Sequence, residues 1–405
     1  MNKRKIINDP VFGFINIPND FIYSLIEHPY VQRLTRIKQL GFASLVYPGA
    51  QHTRFHHSLG AMHLMSEAIS QLRLKGNKIT EEEADAVLSC ILLHDIGHGP
   101  FSHVLENTLV NDVSHEQISL MLMNRINQSL NGELDKTIAI FKNEYPKKFL
   151  HQLVAGQLDM DRLDYLRRDS FFTGVTEGNI GSARIIKMLN VKDDRLVVEA
   201  KGIYSTENFL MARRLMFWQV YLHKTTVAAE KMLINTFNRA KFLIKRKVDL
   251  SVTPSLLYFL QNQVGLSDFI NNPETLDNFV NLDDSDIWCT LKLWSNHSDK
   301  VLSTLSSGLV NRRLFKIEIK PEPFENSILK NKIQHYVDQL GINEVDAEFL
   351  ISSDEISTNM YNEADDSIEI LFKDGETKDI AEASDMLNIQ LLSKKVKKYY
   401  FCYLR

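Results

Sequence analysis

Cysteine is scarce. Cys90, Cys289 and Cys402 are the only three in 405 residues. An odd number so widely spaced excludes a disulfide framework and points to reduced thiols. Long apolar runs are also missing: nothing reaches the roughly 18 residues that cross a bilayer, so no membrane association is expected. The N-terminal MNKRKIINDP is charged with no apolar stretch behind it, so no secretory leader is expected and a cytoplasmic location is. Nor is there an excess of positive charge. Lys and Arg number 47 against 51 Asp and Glu, giving a net charge of -4 and a pI of about 6.4. That excludes a global field drawing the chain onto nucleic acid. The basic runs at 239–247 and 394–398 then read as helix-end or surface charge, with nucleic acid a minor alternative. Repeats, low-complexity tracts and a GxxxxGK[ST] phosphate loop are absent.

What the chain has is histidine in one place. Of 13 histidines, eight (His52, His56, His57, His63, His94, His98, His103 and His115) fall between residues 52 and 115. At their centre is LLHDIGHGPFSH, residues 92–103. The apolar run 84–93 reads as a buried helix that ends by presenting His94 beside Asp95. Gly97, Gly99 and Pro100 break it, and a second helix starts near Phe101.

Around this centre the periodicity is mostly helical. A short hairpin is expected over 5–17. A helix over 21–27, capped by Asn19 or Asp20, precedes another from Pro29 to about Leu40. Further helices are expected at 54–74, 81–94, 101–110, 114–129 and 146–157, with a small hairpin at 190–200 and one long helix over 206–247. Beyond Arg312 the pattern changes to strands at 314–319, 347–351, 367–372 and 398–404, with a helix at 325–339. The fold class expected is mainly α: a helical core with small β-hairpins and a C-terminal α+β lobe. The division expected is 1–310 as a catalytic domain, its core at about 50–170, and 311–405 as the lobe.

His57, His94, Asp95 and Asp161 could share one metal ion. Two imidazoles and two carboxylates suit a single divalent Mn, Fe, Zn, Ni, Co or Mg better than a thiolate site does. Such an ion polarises a phosphoryl oxygen and lowers the pKa of its water. In LDMDRLDY, Asp161 and Asp164 share a helix face and Asp159 does not. With Arg162, Arg167 and Arg168 nearby, a surface ion-pair network is an equal alternative. His115 follows Ser114 at a helix start. It could protonate a leaving oxygen, its tautomer held by Glu106 or Glu116, or Ser114 is simply a cap with His115 on the first turn. Arg54, His98, His103, Arg162 and Lys224 are candidate phosphate partners.

The ordered series KIINDPVFGFI, VQRLTRIKQLG, VYPGAQHTRFHHSLG, LLHDIGHGPFSH, SHEQISLML and LDMDRLDYLRRD resembles the HD-domain phosphohydrolases. Within them it is similar to the deoxynucleoside triphosphate triphosphohydrolases of the SAM- and HD-domain type. The likeness covers residues 5–230 and is loose beyond. It implies His57, His94, Asp95 and Asp161 as metal ligands and His115 as the catalytic histidine. It implies phosphate contacts from Arg54, His103, Arg162 and Tyr165, sugar contacts from Gln39, Leu40 and Asp169, and a base contact from Tyr221. The implied reaction is attack of water on the α-phosphorus of a dNTP, releasing deoxynucleoside and triphosphate, in a dimer or tetramer. No SAM domain is expected. Lys5, Ile6 and Gln32 fit the family's activator-binding positions. Glu27 replaces an aspartate there and Thr35 an arginine, so guanine-nucleotide activation is not expected intact. The alternatives are an HD phosphohydrolase acting on nucleoside monophosphates, cyclic nucleotides or another phosphoester, and a non-catalytic nucleotide or nucleic-acid binding module.

Overall fold

The computed structural model describes residues 5–358, 367–385 and 396–405, without the side chains of residues 102, 103, 105, 107 and 358. The His103 side chain and residues 394–395 of the second basic run thus lie outside the described set. β1 (Ile6–Asp9) and β2 (Gly13–Asn16) form the expected hairpin. Asp9 closes its tip by accepting the Val11 and Phe12 N–H groups at 2.9 Å. α1 (Asp20–Glu27) is capped by Asn19, which accepts from the Ile22 N–H. α2 (Pro29–Arg33) is shorter than the helix expected to reach Leu40, and a 3₁₀ turn, Leu34–Arg36, follows it. The reason lies in the backbone beyond. Arg54 N–H donates to Ile37 O, Gln39 N–H to His52 O, and Lys38 bridges Thr53. Those groups are committed across the chain and cannot continue a helix.

Then come α3 (Arg54–Leu74), α4 (Glu81–Leu93), α5 (Ser102–Leu109), the two-residue β3 (Val110–Asn111) and α6 (His115–Ser129). α4 starts at a Thr80/Glu83 capping box and α6 at a Ser114/Gln117 box. α7 (Asp135–Phe141) was not anticipated, and α8 (Lys148–Gln152) occupies only part of the helix expected over 146–157. α9 (Met160–Thr173) is capped by Asp159 and stopped by Gly174 at φ 76°. α10 (Ser182–Met188) leads to the hairpin of β4 (Leu189–Lys192) and β5 (Arg195–Glu199).

The long helix expected over 206–247 is broken into α11 (Ile203–Met216), a π turn (Phe217–Tyr221) and α12 (Lys224–Lys245). The His223 side chain caps α12 by accepting the Thr225 N–H, while the π turn carries Tyr221 to Asp169. A π turn in a long helix is a frequent mark of a functional site. α13 (Pro254–Gln261), β6 (Val264–Gly265), α14 (Leu266–Asn271), α15 (Pro273–Val280), α16 (Asp284–Trp294) and α17 (Lys300–Val310) complete the helical part.

The C-terminal segment holds β7 (Lys316–Lys320), α18 (Asn326–Leu340), α19 (Glu344–Glu348), β8 (Ile351–Thr358), β9 (Glu369–Leu371), β10 (Thr377–Asp379), α20 (Ile380–Ala383) and β11 (Val396–Tyr403). The strand expected at 347–351 is a helix followed by a strand, because Asn343 accepts the Asp346 N–H and starts α19. One sheet has the order β7-β11-β8 and another β10-β9-β5-β4. In the latter β9 runs parallel to β5, so residues 369–379 extend the sheet begun by the 189–199 hairpin.

The site rests on α3, which packs against both α4 and α9. Gly60 permits the approach to α9: a Cβ there would lie 2.0 Å from Arg168 Nη2 and from Asp164 Oδ1.

Candidate metal and phosphoester site

α4 is apolar on nearly every side from Ala84 onward, so its end sits deep in the protein. His94 caps it, and its Nδ1 lies 2.6 Å from Ile91 O. A carbonyl only accepts, so Nδ1 carries a proton and, in the neutral ring, Nε2 is a bare lone pair. That Nε2 lies 3.3 Å from Asp95 Oδ1 and 3.6 Å from Asp161 Oδ1. From α3, His57 places Nδ1 2.7 Å from Asp164 Oδ2. Its Nε2 is 3.0 Å from Asp161 Oδ1 and 3.9 Å from Asp95 Oδ2. Both Nε2 atoms are buried and neither makes a hydrogen bond. Two lone pairs facing two carboxylates repel unless a cation lies between them. The donor set and its tautomers therefore fit a divalent ion, and Asp164 and the Ile91 carbonyl orient the ligands.

Protons take the cation's part in its absence. Burial opposes charge on His57, yet the Asp161 and Asp164 carboxylates beside it prevail and push it up to about 10. Burial likewise opposes charge on His94, and the Asp95 and Asp161 carboxylates push it up to about 8. Burial would raise Asp161, but His57 and His94 hold it well below the usual carboxylate range.

Asp164 is not part of a surface network. It accepts from Arg168 Nε and Nη2, each at 2.9 Å, and the pair is fully buried. Arg168 also reaches Asp9 at 2.7 Å, tying the N-terminal hairpin to α9. Asp159 caps α9 and holds Arg162 Nε at 3.1 Å.

The loop after Asp95 is pinned to α6. Gly97 N–H donates to Ser119 Oγ at 2.9 Å, and Ser119 Oγ–H donates to His94 O at 2.6 Å. A Cβ on Gly97 would lie 2.2 Å from His115 O, so this position admits glycine alone. The crossing stacks the His98 and His115 rings at 3.8 Å and 16°. A nitrogen of each lies within 4.8 Å of an Asp95 oxygen. His115 Nδ1 is 3.1 Å from Glu106 Oε1 and its Nε2 3.6 Å from Glu116 Oε1. The two imidazoles are pushed apart in basicity. Burial and the charge of Arg54 take His98 well below 6.5. His115 is also opposed by burial, but Glu106 and Asp95 raise it above 6.5. Of the two stacked rings, His115 is thus the one more ready to hold a proton.

The remaining candidates are placed by their own contacts, except Lys224, which no contact among the described residues ties to the site. Arg54 Nη1 donates to Asp95 Oδ2 at 2.7 Å. Arg162 donates through Nε to Gly156 O at 2.7 Å and contacts Tyr165. Lys224 stands exposed at the start of α12. Asp169 accepts from Tyr221 OH at 2.8 Å, and Tyr165 and Tyr221 lie 6.1 Å apart. Gln39 follows the Lys38–Thr53 bridge and its Oε1 is buried without a partner; Leu40 packs half-buried beside it. Sequence reasoning missed Arg213 and Ser119. Arg213 is pushed down by burial and by the like charge of Arg162, and it feels Tyr165 and Asp161. The available signal was a cationic residue inside the apolar rhythm of α11.

The HD domain family profile matches residues 54–168, and an HD associated region matches 180–249. A crystal structure of a phosphohydrolase from Bacteroides thetaiotaomicron is 66% identical, covers 100% of both chains and superposes with a TM-score of 0.97. The chain belongs to the HD-domain phosphohydrolases. Two other relatives of this HD-domain phosphohydrolase are informative. The uncharacterized protein YwfO of Bacillus subtilis is 29% identical over 395 residues, spanning 95% of this chain and 88% of that one. The deoxynucleoside triphosphate triphosphohydrolase SAMHD1 homolog of Dictyostelium discoideum is 31% identical over 260 residues, or 60% of this chain and 50% of that protein. The match thus spans half the length of the triphosphohydrolase relative. Among the described residues, no helix is long and apolar enough to cross a membrane.

Proposed function

We propose that this phosphohydrolase cleaves deoxynucleoside triphosphates to deoxynucleoside and triphosphate. The observation that carries the reading is the kinds of group gathered around one metal-capable cluster. Arg162 and Arg213 are close enough for their charges to oppose one another and to feel Asp161, His115 lies within 4.8 Å of Asp95 and is held by Glu106, and Tyr221, 6.1 Å from Tyr165, donates to Asp169. Guanidiniums suit a triphosphate, an imidazole the scissile ester, and a carboxylate–phenol pair a sugar hydroxyl. The likeness to the triphosphohydrolase relatives supports it.

His57, His94, Asp95 and Asp161 would hold one divalent ion, which supplies Lewis acidity and a nucleophile near neutral pH when bound. Arg162, Arg213 and Tyr165 hold phosphate oxygens. Glu106 orients His115, which delivers its proton to the leaving oxygen of the sugar. Asp169, Tyr221 and Gln39 bind the sugar. Homo-oligomerisation, in the cytoplasm, belongs to the same reading and is checked by light scattering.

The test incubates metal-loaded protein with dATP, dCTP, dGTP and dTTP and separates the products. Tripolyphosphate is expected. Inorganic phosphate alone, or no turnover with Mn, Mg, Fe or Co, overturns the assignment. The Asp95, His98 and His115 group could also hold a metal, which favours as second reading a two-metal HD phosphohydrolase of another phosphoester. Metal counting separates the two: one ion per chain fits the first, two the second.

A further inference from the structure

We propose that His52 is the positioning residue that makes this site discriminate for a sugar 3′-hydroxyl. The inference rests on the assignment of Asp169 and Tyr221 to the sugar end. His52 is fully buried and lies just before α3, outside the metal shell. Its Nε2 is 2.7 Å from Asp169 Oδ1, while Asp169 Oδ2 accepts from Tyr221 OH at 2.8 Å. Each carboxylate oxygen thus has its own donor. The imidazole is fixed in plane by stacking on Phe172, at 4.5 Å between centroids and 16° between planes. The same residue acts a second time through its backbone: His52 O accepts the Gln39 N–H at 3.1 Å. One histidine therefore sets the position of both an acidic and an amide group at the sugar end.

Gln39 Oε1, a buried acceptor on the residue whose backbone N–H is held by His52, is unpartnered. Leaving buried polar atoms without partners is costly, and a ligand that supplies the partner removes the cost. A sugar hydroxyl is such a ligand: it donates to one acceptor and accepts from one donor. With His52 holding Oδ1, Asp169 cannot rotate to offer both oxygens elsewhere, so Oδ2 and Tyr221 stay aimed at one hydroxyl. A site of this kind rejects an analogue that lacks the hydroxyl, because its polar groups are then left unpaired.

The test compares 2′-deoxynucleoside and 2′,3′-dideoxynucleoside triphosphates in the metal-loaded full chain. Both turnover and calorimetric binding are read, the latter with the His115→Ala protein to prevent hydrolysis. For the wild type, affinity for the deoxy ligand is expected to exceed that for the dideoxy ligand by about 10- to 100-fold, the value of a hydrogen bond to a charged group. His52→Phe keeps the stack on Phe172 but removes the donor to Asp169. It is expected to raise KM and Kd for the deoxy ligand about tenfold while those for the dideoxy ligand change little, collapsing the ratio. His52→Gln, whose amide can still donate, is expected to restore part of it. In an Asp169→Asn background, His52→Phe is expected to have no further effect on the ratio. Equal losses for both sugars in His52→Phe, or a wild type without the preference, would overturn the proposal. A wild type that prefers the 3′-hydroxyl in binding but releases no triphosphate would sink the reaction assigned above and leave this one standing.

Discussion

Asp164→Asn tests the logic of the metal shell most directly. The carboxylate of Asp164 receives three N–H donors, from His57 Nδ1 at 2.7 Å and from Arg168 Nε and Nη2 at 2.9 Å each. The asparagine amide has one acceptor oxygen and one NH₂. With its NH₂ at the Oδ1 position it meets Arg168 Nη2; turned the other way its NH₂ meets both His57 Nδ1 and Arg168 Nε; in either case the carboxylate charge behind His57 is gone. Two losses follow. Breaking a buried ion pair by removing one partner costs about 3–5 kcal/mol. Removing the carboxylate that polarises the Nδ1–H of a ligating histidine lowers metal affinity about 10- to 100-fold. Calorimetric melts with and without added Mn²⁺ report the first, and competition against a chromogenic chelator reports the second. Arg168→Met is the control: it removes the same ion pair but leaves the His57–Asp164 bond. It should lower the melting temperature comparably while metal affinity falls less than about threefold, by the same reasoning. If Asp164→Asn melted early yet bound metal as tightly as the wild type, Asp164 would be a structural acid and the tautomer argument for His57 would be wrong.

Four further outcomes are expected. Gly60→Ala forces a Cβ within 2.0 Å of Asp164 Oδ1 and Arg168 Nη2; separating α3 from α9 should cost about 3 kcal/mol, measured by chemical denaturation, and a wild-type midpoint would show that the helices can shift. His115→Ala should keep the metal, counted by elemental analysis, while kcat falls about 10²- to 10⁴-fold. Because burial is outweighed by Glu106 and Asp95, His115 holds its proton past 6.5, and activity should decline as pH rises through that raised value. Glu106→Gln removes one cause and should move the decline to lower pH; an unmoved profile would assign the acid role elsewhere. In metal-free protein, His57 is raised to about 10. Its contribution is complete below 6.5 and is lost as pH rises toward 10, whereas metal-loaded protein does not need that proton. The melting-temperature gap between the two forms should therefore widen from pH 6.5 upward, and a constant gap would mean that protons and metal do not share the site.

The elements anticipated from sequence and those that were not differ in where their determinants lie. α4 and α6 were legible because their signals are local: Thr80 with Glu83, and Ser114 with Gln117, are capping boxes at fixed spacing before apolar runs. The end of α2 was not legible. It depends on Arg54 and His52, whose backbones claim the polar groups of Ile37 and Gln39 from some 15 residues away in sequence. The break before α12 coincides with the π turn whose Tyr221 donates to Asp169, a partner 52 residues away in sequence.

The aspartates of LDMDRLDY make the same point within one helix. Spacing places Asp161 and Asp164 on one face, and so leaves a surface ion-pair network as plausible as a metal site. What separates the roles is the partner each acid meets. Asp159 meets the free N–H of Arg162 and becomes a cap. Asp161 meets the Nε2 atoms of two imidazoles, the ring edges left over for a shared cation. Asp164 meets the protonated nitrogen of one of those same rings, with Arg168 behind it. Three identical carboxyl groups within six residues thus acquire three functions: the helix start sets that of Asp159, and the packing of α9 on α3, through Gly60, separates Asp161 from Asp164.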